Sequence, residues 1–223
     1  MKRTAYLLSV LFLAICLVGP ASGYSQTKEN QKREKLLEKE LKSKAIKEAR
    51  KEAKKYTKAG WSIFPGAPPM DKQLEKSWEQ QLMSDDKGYP VYITADGNAI
   101  AGNESAASMQ AVELAKLQLA GLLETRIASL VSANIANTEL SAQEAESITE
   151  VVQSAKNIIA QELGYVNPLF KIKRRLKNGN VEVSTRVFYN TEEGMSIAKK
   201  RIKEELKEKV KTNEEDLRKL MGM

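Results

Sequence analysis

The stretch LFKIKRRLKNGNVEVSTRVFY, residues 169–189, is written as a β-hairpin. Its first half partly alternates, with Phe170 and Ile172 on one side and Lys171 and Lys173 on the other. Asn178-Gly179 then supplies the signature of a two-residue type I′ turn. In the return strand Val181, Val183, Thr185, Val187 and Tyr189 share one face, and Glu182, Ser184, Arg186 and Phe188 share the other. Upstream, Tyr89 to Thr94 reads as another strand, closed by the turn signal Asp96-Gly97-Asn98. Together these segments imply an antiparallel sheet of about three strands.

What covers that sheet is helical. From Ser105 to Asn137, Met109, Val112, Ala115, Leu119, Leu122, Leu123, Ile127, Leu130 and Val131 recur at mostly three- and four-residue steps, so one broad face is expected to be buried. Leu114 and Leu117 fall off that face, which implies a second contact, within the domain or with another subunit. Ser141 and Glu144 form a capping box opening a further helix, whose apolar face runs from Ile148 to Leu163. Asp71 to Met83 reads as a short helix with Leu74, Trp78 and Leu82 on one side. A last helix starts near Thr191 and frays toward Met223. The fold class expected is α+β, a small antiparallel sheet covered by long amphipathic helices, with an N-terminal helical arm.

That arm is Lys28 to Lys58, dense in Lys, Glu and Ala, with Leu37, Leu41, Ala45, Ala49 and Ala53 at four-residue steps. Its apolar stripe is thin, so it reads as a basic, solvated helix rather than a strong autonomous coiled coil. Gly60 to Met70 breaks it, and Trp61, Ile63 and Phe64 are too apolar for a free linker and should dock on the domain.

Met1-Lys2-Arg3, the apolar run Ala5–Val18 and the small-residue exit Ala21-Ser22-Gly23 have the layout of a cleavable secretory signal. The organisation expected is therefore a signal peptide over 1–23, a charged helical arm over 24–59, an α+β domain over 60–215 and a flexible tail over 216–223. No transmembrane span is expected in the mature chain, which is destined for the periplasm or outer envelope. Cys16, the single cysteine, follows the bulky Ile15, whereas a lipidation signal calls for a small residue there.

Function classes are narrowed most by what the chain does not contain. It has no histidine, and a signal cut at Gly23 would leave no thiol. No cofactor, metal site or catalytic residue is expected. Glu144, Glu146 and Glu150 lie on the polar side of a helix, the ordinary place for surface acids. A hydrolase using carboxylates or a Ser-Lys pair is the least favoured alternative. The net charge of +7 includes Lys2 and Arg3 of the expected signal, so the mature chain would carry about +5, which favours anionic envelope surfaces at low salt. Lys171, Lys173, Arg174 and Arg175 are the candidate contacts with an anionic envelope surface, and replacing all four with Gln should weaken salt-sensitive binding. Nucleic acid is not the expected partner, since the hairpin offers only Phe188 for base stacking.

The small-residue turn, the helix carrying Ala111-Val112-Glu113-Leu114-Ala115-Lys116-Leu117-Gln118-Leu119-Ala120, the polar-entry helix and the late hairpin resemble the Lpp-twenty-like family of bacterial envelope proteins. The resemblance covers roughly residues 89 to 210. It implies a small α+β module, exported and often lipid-anchored, without known catalysis, and it carries over no site residues. The expected function is that of a non-catalytic envelope protein acting by binding or assembly, its partner an envelope protein or an anionic envelope surface. A structural homo-oligomer held by the helical arm is the alternative.

Overall fold

The structure, a computed structural model, describes residues 22–138, 140–210 and 213–223. Residues 1–21 of the expected signal segment, Cys16 included, lie outside the described residues. Residues 1–40 and 41–223 form two units. Of the first, the described part is the opening of helix α1 (Ser22–Lys58).

The second unit contains the rest of α1, then β1 (Ser62–Ile63), α2 (Met70–Leu82), β2 (Tyr92–Ala101), α3 (Glu104–Ile135), α4 (Ala142–Gln153), α5 (Lys156–Glu162), β3 (Pro168–Arg175), β4 (Val181–Asn190), α6 (Thr191–Lys209) and α7 (Glu214–Met221). The fold is α+β, with one antiparallel sheet of strand order β1-β3-β4-β2. The strand beyond the expected three is β1, two residues from the Trp61–Phe64 segment that pair with Ile172 and Lys173.

The hairpin β3–β4 forms where the alternation places it, but its turn is not type I′. Gly179 donates its N–H to the Leu176 carbonyl at 3.0 Å, so Lys177 and Asn178 are the central residues. Gly179, at φ 85°, then takes the left-handed position of a three-residue loop. Strand β2 corrects a second expectation. Asp96-Gly97-Asn98 is not a turn but the middle of a ten-residue strand, in one-to-one register with β4 from Tyr92↔Asn190 to Ala101↔Val181.

Gly97 is there for space. A Cβ on it would stand 1.9 Å from the Ala111 carbonyl oxygen and 2.7 Å from the Ala115 nitrogen, so α3 rests directly on the strand. The helix meets the sheet through Ala107, Ala111 and Ala115, while Met109, expected on the buried face, is 72% exposed. At this separation only alanine fits. Asn103 caps α3 by accepting from the Ala106 N–H at 2.9 Å.

Past the sheet, Leu119, Leu123, Ile127 and Val131 of α3 form the main core with Ile148, Val152, Ile159, Ile202, Leu206, Leu217 and Leu220. The expected helix from Ser141 through Leu163 is two helices, broken at Ser154-Ala155, and the Ser141/Glu144 capping box opens the first. The expected flexible tail is α7. Leu217, Leu220 and Met221 are fully buried, Asn213 caps its start, and Asn134 donates to the Lys219 and Leu220 carbonyls. Three apolar residues on one face outweigh the fraying expected of a terminus.

The opposite face of the sheet is covered by α2 and the latter half of α1. Ala45 and Ala49 are buried, and Ala49 packs with Leu74, Phe170 and Ile172. The helix taken as a solvated arm to residue 59 is thus part of the domain from about Ala45 onward. Alanines at four-residue steps give too little hydrophobicity to signal burial, yet they let a helix approach closely.

Candidate anion-binding surface

The four cations singled out in the sequence lie on both faces of β3 and are largely engaged within the domain. Lys171 and Lys173 point toward α3. Lys171 Nζ donates to Ser108 Oγ at 3.1 Å, and Lys173 Nζ pairs with Glu104 Oε1 at 2.5 Å. Both ammonium groups stand over the Phe64 ring, at 4.7 and 5.1 Å from its centroid. Arg174 points the other way. Its guanidinium lies 4.7 Å over Trp61, Nε pairs with Glu182 Oε2 at 2.5 Å, and Nη1 donates to the Ala59 carbonyl at 3.3 Å. Only Arg175 is exposed, with Nη1 donating to the Gly179 carbonyl at 3.3 Å. Trp61 and Phe64 dock on the domain as expected, through these cations and through apolar contact, Trp61 with the cluster of Phe170 and Ile172 and Phe64 with that of Ala111 and Val183. Glu182 is buried, which alone would raise its pKa, but hydrogen bonds from Arg174 and Asn98 outweigh burial and hold it below the ordinary carboxylate value.

A second set of cations sits on α1, at positions the sequence did not distinguish within a generally basic helix. Lys47, Arg50, Lys51 and Lys54 follow three- and four-residue spacing on one side of the helix, and all four are exposed. Ala45, Ala49 and Ala53 occupy the side turned to the domain. Among the described residues, the only ion pair made by this stripe is a loose one, Lys51 to Glu48 at 4.0 Å. Docking the alanine side of the helix fixes where the basic side points.

The third feature is an open groove of about 630 Å³ alongside β2, lined by Thr94, Asp96, Gln118, Leu122, Lys156 and Arg186 among others. Its floor is a charged cluster. Arg186 donates to Asp96 at 2.6 and 3.1 Å, to Glu52 at 3.2 Å and to Ser77 at 3.4 Å, and Glu52 accepts from the Trp78 indole at 2.7 Å. Burial opposes the Arg186 charge, but hydrogen bonds and proximity to Asp96 and Glu52 prevail and raise its pKa above the ordinary value. A two-point clamp ties Asp96 to the Arg186 guanidinium.

No family model, curated protein or solved structure matches this chain. Among the described residues, no helix is long and apolar enough to cross a membrane.

Proposed function

We propose that this chain is a non-catalytic, exported envelope protein that binds an anionic envelope surface, and that α1 is the contact. The observation that carries this reading is the exposed stripe Lys47, Arg50, Lys51 and Lys54 on a helix whose other side is anchored to the domain. A fixed row of cations costs little ordering on binding, and each Lys or Arg near an anionic lipid surface contributes about 1 kcal/mol at physiological salt. Export rests on the residues at the amino terminus, Lys2-Arg3, the apolar run to Val18 and Ala21-Ser22-Gly23. The absence of histidine from the sequence and the engagement of Asp96, Glu52, Glu104 and Glu182 in ion pairs favour binding over catalysis. The resemblance to the Lpp-twenty-like family agrees with this reading.

The test is co-sedimentation of the full chain with phosphatidylglycerol-containing vesicles at low and high salt. Replacing Lys47, Arg50, Lys51 and Lys54 with Gln should weaken binding at least about tenfold at low salt. Replacing Lys171, Lys173, Arg174 and Arg175 should change it little once the folded fraction is accounted for. The reverse order of effects would return the site to β3, and equal binding to neutral vesicles would remove the electrostatic reading altogether.

A further inference from the structure

The sheet has two edges, and they are finished differently. On the β3 side, β1 pairs with Ile172 and Lys173, Ser62 Oγ donates to the Lys173 carbonyl at 3.2 Å, and the Gln73 side chain accepts the Lys171 N–H at 3.0 Å. Nothing comparable covers β2 among the described residues. Thr191 N–H donates to the Val91 carbonyl at 2.8 Å, which fixes the phase of the β2–β4 ladder. With one-to-one register from there, Ile93, Ala95, Gly97, Ala99 and Ala101 exchange hydrogen bonds with β4. The N–H and C=O groups of Tyr92, Thr94, Asp96, Asn98 and Ile100 therefore point away from the sheet. The usual protections of a free edge are missing too: β2 contains no Pro, no Lys and no bulge, and its one charge, Asp96, is neutralised by Arg186.

We infer that the β2 edge pairs antiparallel with β2 of a second copy of this chain, joining two sheets across a twofold axis at Gly97. Three observations select a second copy as the occupant. Centring the axis on Gly97 sets Thr94 opposite Ile100 and Asp96 opposite Asn98 of the second copy, so each outward group from Thr94 to Ile100 meets its complement. The Asn98 amide then faces a carboxylate, where an axis one residue earlier would set two Asp96 side chains together. The second observation is the bare glycine, which lets the two strands cross the axis with no side chain between them on the α3 side.

The third observation is the flank of α3. Ser108 reaches Lys171 on the β3 side, whereas Gln118 and Leu122 border the groove beside Thr94 and Asp96. Leu114, Gln118 and Leu122, at four-residue steps, thus form the flank on the open-edge side, and Leu114 and Leu122 are 46% and 45% exposed. The turn carrying Leu114 is the one that rests on Gly97. Because α3 packs on both β2 and β4, strands spaced about 4.8 Å apart would bring the two copies of α3 to about 10 Å, the ordinary distance for packed helices. Leu114 would meet its counterpart at the axis. This assembly does not depend on the basic stripe of α1.

Sedimentation velocity on the full chain, with hydrogen exchange read residue by residue, tests the pairing. The wild type should be a dimer, with the amides of Thr94, Asp96, Asn98 and Ile100 protected. Thr94→Pro removes a donor that β4 does not use, and Leu114→Lys alters only an exposed position. Each should halve the particle mass while circular dichroism and vesicle binding per chain to phosphatidylglycerol are retained. A monomeric wild type, a folded Leu114→Lys chain that stays dimeric, or free exchange at those four amides would each overturn the inference.

Discussion

On one side of the sheet α3 lies so close to β2 that Gly97 has no room for a Cβ, and the contact is alanine against backbone. On the other side α1, α2 and the segment that follows α1 meet the sheet around Phe170 through Tyr56, Trp78 and Trp61, with Arg186, Glu52 and Asp96 held among them. Where α3 crosses Gly97 the first face is set by shape. The second combines aromatic packing with charges that must be matched, Tyr56 lying 5.3 Å from Phe170 and the Arg186 guanidinium 5.8 Å from the same ring. A face built on shape should fail when atoms are added, and a face built on charge should fail when one member of the set is removed.

The largest effect is expected at Gly97. Gly97→Val must lift α3 from the strand, and urea unfolding should show a loss of about 4 kcal/mol or more. A loss below about 1 kcal/mol would mean that the helix is free to move outward, and the distinction between the faces would collapse. Next comes Arg186→Met, which keeps the bulk and leaves Glu52 half-buried without its cation. A loss of about 2–3 kcal/mol is expected, reduced from the full cost of breaking a buried pair because Asp96 is largely exposed and can rehydrate. Adding Glu52→Gln should recover part of that loss. If the double variant is no better than the single one, packing rather than charge governs this face.

The smallest effect comes from charges that lie outside both faces. Glu214 pairs with Lys203 and Lys207, whose hydrogen bonds hold its carboxyl down at about 2 against an ordinary 4.5. A depressed acid stabilises the fold above its unfolded value, so this contribution is complete above about pH 4.5 and disappears as the pH falls toward 2. Glu214→Gln should flatten that segment of a plot of Tm against pH by a small amount. Added salt should do the same. The part of the Tm that depends on the Arg186–Glu52 pair should persist in salt, because both groups are largely shielded from solvent.

The sequence made the α3 side legible in outline and the α1–α2 side hardly at all. Alternation from Val181 to Tyr189 marked β4, and the Ser141/Glu144 box marked the start of α4, because both signals are local. Hydrophobic spacing marked Leu119, Leu123, Ile127 and Val131 of α3 as buried but misplaced Met109, since burial in the first turns is decided by how closely the sheet approaches and not by side-chain size. Asp96-Gly97-Asn98 has the composition of a turn, and only contact with Ala111, Ala115 and Arg186, all distant in the chain, accounts for it as strand. The same distance hid the partners of the β3 cations. Lys173 looks free until Glu104 is brought beside it, while the α1 stripe becomes distinct only once its alanines are seen to be buried.

The strand order also sets a timetable. β3 and β4 are adjacent in the chain and can zip together as soon as their turn forms, whereas β2 must wait for a partner that follows it only after α3, α4, α5 and β3. Closing so long a loop is slow compared with forming a hairpin. Until it closes, the alanine side of α3 has only half its seat. The rate-limiting event in reaching the native state should therefore be the late arrival of β2 beside β4, and the nascent polypeptide should spend much of its early life as a helix-rich, incompletely zipped intermediate.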